Sequence, residues 1–311
     1  MMTGYLFALG ATAIWSGNFI IARGLNESIP PISLAFWRWV VAVVAFLPFA
    51  LKTLIDEWGV VKENIPYLAV TSLLGVTLFN TFIYVAGHTT TAINISLICL
   101  TFPIFMAVLS RFFFQERITI NKGVGIMLVA GGVLFLMAKG VVSSLLDISF
   151  ATGDVWALAA AIIFAVYSIL LRKKPKQLSV WSLQLSTFMM GLFFLFPFFI
   201  WEYTTAPSVE FDKTTVLSIL YLGLFASLSA FVLWNKAIAT VGPSKSGMIY
   251  YTLPLFSGFL AHLFLKEEMG MVHFFSMALI ISGILAANHE SRPLRRRPAS
   301  RSHGRRSKIS H

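Results

Sequence analysis

The chain is poor in charged residues and nearly free of cysteine. Only 12% of its 311 residues are Asp, Glu, Lys or Arg, against about 25% in soluble domains. Its single cysteine, Cys99, excludes an intrachain disulfide. The sequence contains no HExxH, no GxSxG, no glycine-rich phosphate loop with lysine and no cysteine pair. We therefore expect neither an enzyme nor an energised pump, and no cofactor or metal site.

Carboxylates are also missing from the middle of the apolar segments. All 13 Asp and Glu lie in loops, in tails or near the ends of predicted helices. A carboxylate buried in the membrane is the usual carrier of a proton or cation. Its absence argues against a proton antiporter for cationic drugs and favours a neutral or zwitterionic solute. His88 and His262 remain alternative proton groups, although an interfacial position is the simpler interpretation of both.

Long hydrophobic runs dominate what is present. The chain is 57% hydrophobic, with a mean hydropathy of +0.80, and a helix needs about 20 apolar residues to cross a bilayer. These numbers predict an all-α integral membrane protein with ten transmembrane helices. The ten stretches are 3–22, 32–51, 66–86, 93–114, 122–138, 153–171, 181–201, 215–236, 246–265 and 271–288.

The positive charges indicate how the chain is threaded. With both termini cytoplasmic, 19 of the 24 Lys and Arg fall on the inner side and 5 on the outer side, as the positive-inside rule requires. Eight of the 19 lie after Glu290. The segment 289–311 is rich in Pro, Ser and Arg, which predicts a disordered cytoplasmic tail. The net charge of +11 is thus interpreted as a solvated tail near lipid headgroups, without a nucleic-acid partner.

The sequence repeats itself at a distance of about 150 residues. The first and sixth stretches match at an offset of 149, for example at Gly4 and Gly153, and the fourth and ninth match at 151, for example at Pro103 and Pro254. This predicts two five-helix repeats, 1–140 and 153–288. Because five is odd, the second repeat enters the membrane from the opposite face. Inverted repeats of this kind are used for alternating access to a site near the membrane midplane.

These features resemble a known family. The 5+5 repeat, "AIWSGNFIIARGL" in the first stretch and "T-x-P-x-F-x3-L-x3-F-x2-E" in the fourth and ninth stretches are similar to the EamA-type members of the drug/metabolite transporter superfamily. Within it, the chain resembles bacterial aromatic amino-acid exporters of the YddG type, and the likeness spans residues 3–288. The resemblance implies a central cavity lined by both halves.

The resemblance also assigns individual residues to that cavity. It places the exporters' aromatic residue before the fourth-stretch proline on Phe102, and their sixth-stretch tryptophan on Phe164, the repeat mate of Trp15. Their polar position in the third stretch matches Asn80. Leu100 stands where these exporters carry a tyrosine, and phenylalanines replace tryptophans. We therefore expect a range of neutral amino acids that is broader than aromatic ones.

Polar residues at mid-membrane depth suit a zwitterion, because amides and hydroxyls can bind a carboxylate or an ammonium without a fixed charge. Asn18 and Asn80 are interpreted equally well as ligands or as interhelical hydrogen bonds, whereas Ser16 and Ser168 fit packing better. Trp234 and Tyr250 are further candidates for an aromatic pocket. The predicted substrate-binding residues are Trp15, Asn18, Asn80, Phe102, Phe164, Tyr167 and Tyr251.

Two prolines and two glutamates occupy matching places in the repeats. Pro103 and Pro254 should each remove a backbone hydrogen bond and bend their helices, which predicts a gate, although kinks are also ordinary in membrane helices. Glu116 and Glu267 follow the same helices, and we interpret them as acceptors that fix loops, not as substrate ligands.

Arg38 lies between Trp37 and Trp39 in the second stretch. We expect it about 10 Å inside the outer interface, where it would snorkel as an anchor flanked by interfacial tryptophans. The alternative is a contact with substrate at an outer vestibule. At offset 149 its repeat mate is Thr187, so the charge belongs to one half only.

Together these features predict a multi-pass transporter in the bacterial inner membrane. It would export amino acids or related metabolites by alternating access, with lipid and a small molecule as partners. The sequence leaves the oligomeric state open, a monomer being one alternative. The alternatives are efflux of amphipathic or cationic toxic compounds, which should show an acidic cavity residue, and a lipid flippase or polytopic enzyme. A lipid-facing Arg38 would favour the flippase.

Overall fold

The computed structural model describes residues 2–114, 120–137, 140, 151–206, 209, 211–241 and 249–288. Regular structure within these ranges is helical, with no strand. The helices are α1 (Met2–Gly24), α2 (Pro31–Asp56), α3 (Trp58–Glu63), α4 (Ile65–Gly87), α5 (Ala92–Cys99), α6 (Phe102–Phe114), α7 (Ile120–Met137), α8 (Thr152–Arg172), α9 (Val180–Thr205), α10 (Lys213–Leu220, Tyr221–Ser229 and Ala230–Val241 in succession), α11 (Leu253–Leu265) and α12 (Met271–Asn288).

Six of these helices, α1, α2, α4, α8, α9 and α10, contain spans that are long and apolar enough to cross a membrane. Three shorter apolar segments belong to α7, α11 and α12. The all-helical membrane prediction is therefore confirmed, and each of the ten predicted stretches overlaps helix in the described residues.

The fourth stretch is not the continuous helix that was predicted. Leu100 and Thr101 form a turn between α5 and α6, and the Thr101 hydroxyl donates to the Ile98 carbonyl over 2.7 Å. Tyr251 and Thr252 form the corresponding turn before α11, where the Thr252 hydroxyl donates to Ile249 over 2.7 Å. Both turns are separated by 151 residues. The interruption is thus a feature of both halves.

The prolines lie after these turns. Pro103 and Pro254 are each the second residue of the new helix, α6 and α11. The first turn of a helix has N–H groups without intrahelical partners, so a proline is well tolerated there. The interruption lies just before each proline, where its missing N–H and its ring disfavour a continuous helix. The gating role of the two prolines remains a prediction.

The helices α4 and α10 share a π-helical segment, Leu73–Leu78 in the first and Tyr221–Ser229 in the second. The Asn80 amide donates to the Gly75 carbonyl over 3.4 Å, and the Ser229 hydroxyl donates to the Leu224 carbonyl over 3.0 Å. The two donors, Asn80 and Ser229, are 149 residues apart, and so are the two acceptors, Gly75 and Leu224. A π-helical turn leaves carbonyls out of register with the following turn, and in both halves a side chain binds one of them.

The helices α7 and α12 meet along glycines. A methyl group added at Gly132 would lie 3.0 Å from the Ser276 carbonyl oxygen, and one at Gly283 would lie 2.7 Å from the Gly125 carbonyl oxygen. Gly132 and Gly283 are 151 residues apart, and so are Gly125 and Ser276, so the two contacts are equivalent in the repeats. Small residues at these points let two helix backbones approach closely, which is the usual packing of membrane helices.

The helices α2 and α9 pack together, and each begins at a carboxylate supplied near the end of the other. Buried Glu202 of α9 accepts from the Ile32 and Ser33 N–H groups (3.1 and 2.5 Å) and from the Ser33 hydroxyl (2.7 Å). Glu57, after α2, accepts from the N–H of Ser179, the N-cap of α9, over 2.9 Å. Both carboxylates satisfy backbone donors that a helix leaves open at its start.

A third carboxylate joins α11 to α5. Glu267 accepts from the Ala92 and Ile93 N–H groups at 3.1 and 3.3 Å. The expectation that Glu267 fixes a loop by accepting backbone hydrogen bonds agrees with these contacts. Glu116 lies outside the described residues.

Candidate functional site

Four of the predicted aromatic residues form one chain of ring contacts through Tyr250. The ring centroids of Trp15 and Tyr250 are 6.0 Å apart, and those of Tyr250 and Phe102 are 5.6 Å apart. Phe164 continues the chain at 5.1 Å from Phe102, and Tyr167 lies 5.7 Å beyond it. We call these five residues the aromatic chain. It is built from α1, α6, α8 and the segment before α11, and so from both halves of the sequence.

Further side chains contact the aromatic chain at Trp15 and at Phe164. Trp15 also contacts Trp234 at 5.4 Å, and its indole N–H donates to the Ala226 carbonyl over 3.0 Å. This carbonyl lies in the π-helical segment of α10. Phe79 of α4 contacts Phe164 at 4.6 Å. The aromatic rings are thus positioned against both π-helical segments.

The two predicted asparagines meet on a residue that was assigned elsewhere. Arg38 of α2 donates through Nη1 to the Asn18 Oδ1 (3.0 Å), the Asn80 Oδ1 (2.5 Å) and the Tyr84 hydroxyl (2.7 Å). Its Nε donates to the Ser227 hydroxyl over 2.9 Å. Four helices, α1, α2, α4 and α10, therefore converge on one guanidinium, and we call these five residues the arginine cluster.

The interfacial interpretation of Arg38 is wrong. Arg38 is only 5% exposed, and so it neither snorkels to the surface nor faces lipid. Trp39 is 4% exposed, and its indole donates to the Val76 carbonyl over 3.1 Å. The Arg38 guanidinium lies 5.0 Å from the centre of that indole, within cation–π distance. Trp37 is partly exposed and packs on Phe199 and Phe211.

The partners of Arg38 leave part of its binding capacity unused. A guanidinium carries five N–H donors. Nε is bonded to Ser227 and Nη1 to three oxygens, whereas no described residue accepts from Nη2. Each of the four acceptors is neutral, and no Asp or Glu among the described residues pairs with Arg38. The cluster therefore fixes the position of the cation without neutralising it.

The arginine cluster borders the aromatic chain. Asn18 follows Trp15 by three residues, so both point to one side of α1. Asn80 follows Phe79, which contacts Phe164. The carbonyl that binds Trp15 and the hydroxyl that binds Arg38 belong to consecutive residues, Ala226 and Ser227. The two groups therefore lie next to each other, with the aromatic rings on one side and the Arg38 cation on the other.

The remaining candidates have local partners. The Ser16 and Ser168 hydroxyls donate to Ala13 and Phe164 carbonyls of their own helices, as the packing interpretation expects. Tyr251 is buried in the core.

The two histidines lie outside the site. His262 is exposed on α11. His88 follows α4, where burial lowers its pKa, the Glu202 carboxylate raises it and Arg23 lowers it further, leaving it below the usual value. His88 therefore binds a proton less readily than a free histidine does.

The sequence-based assignment missed two members of the cluster, Tyr84 and Ser227. Tyr84 is 1% exposed and donates to the Asn18 Oδ1 over 3.0 Å. Its position four residues after Asn80, on the same helix face, was the available signal. Ser227 carried no such signal, since its role depends on α10 lying against α2.

Comparison with known proteins agrees with a transporter. The EamA-like transporter family model matches the chain twice, over residues 2–138 and 151–288. An uncharacterized transporter of Bacillus subtilis (strain 168), YetK, is 28% identical over 91% of this chain and 86% of its own length. An uncharacterized transporter of Archaeoglobus fulgidus is 28% identical over 87% and 92%. Neither name states a substrate.

A solved crystal structure, described only as that of a protein, shares the fold. It has a TM-score of 0.61 and 19% identity, covering 93% of this chain and 97% of its own. The fold, the apolar helices and the double match of the family model lead to one conclusion. The chain belongs to the EamA-like transporter family and is a multi-pass membrane transporter.

Proposed function

We propose that this transporter exports neutral amino acids, aromatic ones included, or related metabolites across a bacterial inner membrane. The observation that carries the proposal is that the aromatic chain lies beside the arginine cluster. An apolar wall with a few placed polar groups is what a small amphipathic ligand needs. The rings would bind the amino-acid side chain, while Asn18, Asn80 and the guanidinium would face its polar end.

We further propose that the chain has ten transmembrane helices, as inverted repeats 1–140 and 153–288, with both termini and the tail 289–311 cytoplasmic. The turns, the π-helical segments and the glycine contacts support this arrangement, because each occurs once in each half at a separation of 149 or 151 residues. Interrupted helices near the midplane are typical of alternating-access transporters. The turns before Pro103 and Pro254 would then act as the gate hinges.

The arginine cluster disfavours the two rivals. A cationic drug about 4 Å from the Arg38 guanidinium would be repelled by roughly 4 kcal/mol at an effective dielectric constant of about 20. A flippase needs basic contacts in a groove open to lipid, whereas Arg38 is buried. Among the described residues, the arginine cluster therefore offers neither the carboxylate that a cationic drug requires nor the lipid-exposed basic residue that a flippase requires.

Transport by the purified full chain in liposomes tests the proposal. Labelled Phe, Leu, Met and Ala should enter faster than into empty liposomes, and a labelled quaternary ammonium compound should not. Trp15→Ala should lower the uptake rate about tenfold, since a ring–ligand stack contributes roughly 1–1.5 kcal/mol. Trp58→Ala is the matched control, because Trp58 is 49% exposed on α3.

Two outcomes would overturn the proposal. One is uptake of every amino acid at the rate of empty liposomes. The other is an equal loss of rate in Trp15→Ala and Trp58→Ala at equal reconstituted protein.

A further inference from the structure

Arg38 carries its positive charge in a buried position. A buried guanidinium without an ionic partner costs free energy, because hydrogen bonds to neutral groups replace only part of its hydration. Buried or intramembrane charges are retained mainly where function needs them. The 5% exposure of Arg38 and its wholly neutral described partners therefore need an explanation beyond packing.

We propose that Arg38 is the carboxylate receptor of the transport site, and that its free Nη2 binds the carboxylate of the solute. This inference rests on the proposed transport site and names the group that the site recognises. The solute class is then monocarboxylates with an apolar or aromatic body, whether or not they also carry an ammonium group.

The hydrogen-bond geometry selects Nη2 as the binding atom. Ser227 occupies Nε, and three oxygens from Asn18, Asn80 and Tyr84 compete for the two N–H groups of Nη1. The two N–H groups of Nη2 remain for a ligand. Hydrogen bonds between a guanidinium and a carboxylate are about twice as strong as neutral ones.

The neutrality of the cluster suits a transporter. A protein carboxylate at this position would neutralise Arg38 and compete with the carboxylate of the solute. Asparagine, tyrosine and serine oxygens hold the guanidinium in place and leave its charge for the ligand. Thr187 is the repeat mate of Arg38, so the second half carries no cation at the equivalent position. The solute carboxylate then binds at one end only.

Lysine cannot reproduce this arrangement. The guanidinium is a planar fork that meets α1, α4 and α10 at once and still presents a free nitrogen. An ammonium is a compact point charge with three donors on a flexible stem. Arg38→Lys should therefore keep the charge but lose the fixed position.

The test compares three probes that share a phenylethyl body and differ in their polar group. Their binding to the detergent-solubilised full chain is measured by isothermal titration calorimetry. They are 3-phenylpropionate, the neutral 3-phenylpropionamide and the cationic 2-phenylethylamine. The wild type should bind 3-phenylpropionate at least tenfold more tightly than either of the others. Arg38→Gln should remove this preference, and Arg38→Lys should reduce it. Arg23→Gln should keep it, because Arg23 donates to the Gly87 and His88 carbonyls, away from the site.

Failure of this inference is distinguishable from failure of the proposed function. Equal binding of the carboxylate and the amide, no binding of 3-phenylpropionate, or an intact preference in Arg38→Gln overturns the carboxylate receptor. Liposome uptake of amino acids would still stand in those cases. Conversely, tight binding of 3-phenylpropionate without amino-acid uptake would support the role of Arg38 as the carboxylate receptor and overturn the amino-acid proposal. The wild-type comparison decides alone if Arg38→Gln does not fold.

Discussion

The two halves of the chain agree in their backbone and differ in their chemistry. Interrupted helices, π-helical segments and close glycine contacts recur at an offset of 149 or 151 residues. The polar side chains of the arginine cluster do not recur. In the second half Thr187 replaces Arg38, Tyr167 replaces Asn18 and Leu233 replaces Tyr84.

The hydrogen bonds show what this difference means. The Thr187 hydroxyl donates to the Gln184 carbonyl of its own helix, over 3.0 Å, whereas Arg38 joins four helices. Packing between helix backbones depends on size, and both halves must satisfy it in the same way. Ligand chemistry depends on charge, and a small asymmetric solute needs different groups at its two ends. The first half therefore supplies most of the polar side, and the second half contributes Phe164, Tyr167 and Tyr250 to the aromatic side.

The strongest test of the shared backbone is a pair of glycine substitutions. Gly132→Ala and Gly283→Ala should lower stability by similar amounts, of about 1–3 kcal/mol each, since the added methyl group overpacks the α7/α12 contact. Thermal unfolding in detergent measures this.

Adjacent Gly131 is the control for these variants. A methyl group added there meets nothing within 4 Å, so Gly131→Ala should leave stability unchanged or raise it slightly. A large loss in Gly132→Ala beside none in Gly283→Ala would contradict the equivalence of the two contacts.

The second test uses side chains that share a backbone role but differ at the site. Asn80 and Ser229 both bind a π-segment carbonyl, yet only Asn80 also binds Arg38. Asn80→Ala should weaken binding of 3-phenylpropionate about tenfold, since it removes one hydrogen bond to a charged group, worth roughly 1.5 kcal/mol.

Ser229→Ala should leave that affinity unchanged and lower stability by less than about 1 kcal/mol. Calorimetry and thermal unfolding of both variants separate the two effects. Equal affinities in Asn80→Ala and Ser229→Ala would show that the polar side is not asymmetric.

The last test concerns the carboxylates that join α2 and α9. Glu202 is buried, so Glu202→Gln should cost about 1–2 kcal/mol of stability at pH 7. Glu57 is more open to solvent, and Glu57→Gln should cost less.

The contribution of Glu57 should also depend on pH. Burial raises the pKa of Glu57, but hydrogen bonds from the Ser179 N–H and from the Ser182 and Ser179 hydroxyls, with the Lys174 charge, lower it below its ordinary 4.5. A carboxyl group whose pKa is lower in the folded state stabilises the fold at pH values above its pKa in the unfolded state. This stabilisation is lost as the pH falls through its pKa in the folded state. The stability difference between wild type and Glu57→Gln should therefore be fully present at pH 7, begin to shrink as the pH falls below 4.5 and vanish once the pH is below the lowered pKa of the folded state. A difference that persists in acid would contradict an ionic cap, and Asp56→Asn serves as the control for a neighbouring charge.

Particular residues show how far the sequence could lead. The resemblance to exporters singled out Phe102, Phe164 and Asn80; the two phenylalanines contact each other and Asn80 accepts from Arg38, while their binding of substrate remains a prediction. The prolines pointed to an irregularity in both halves, but its form, a turn at Leu100–Thr101 and at Tyr251–Thr252, became visible only in the structure. Arg38 was placed at the interface because distance along a helix was considered without the neighbouring helices.

The sequence by itself determined the membrane class, the repeat and the family, since a bilayer demands long apolar helices and a duplication leaves matching residues at one offset. Only the tertiary structure decided where the charge lies. A guanidinium on an apolar helix can reach for the interface or turn inward, and the choice depends on whether oxygens from other helices meet it. Here Asn18, Asn80, Tyr84 and Ser227 do, and Arg38 is held inside the helix bundle.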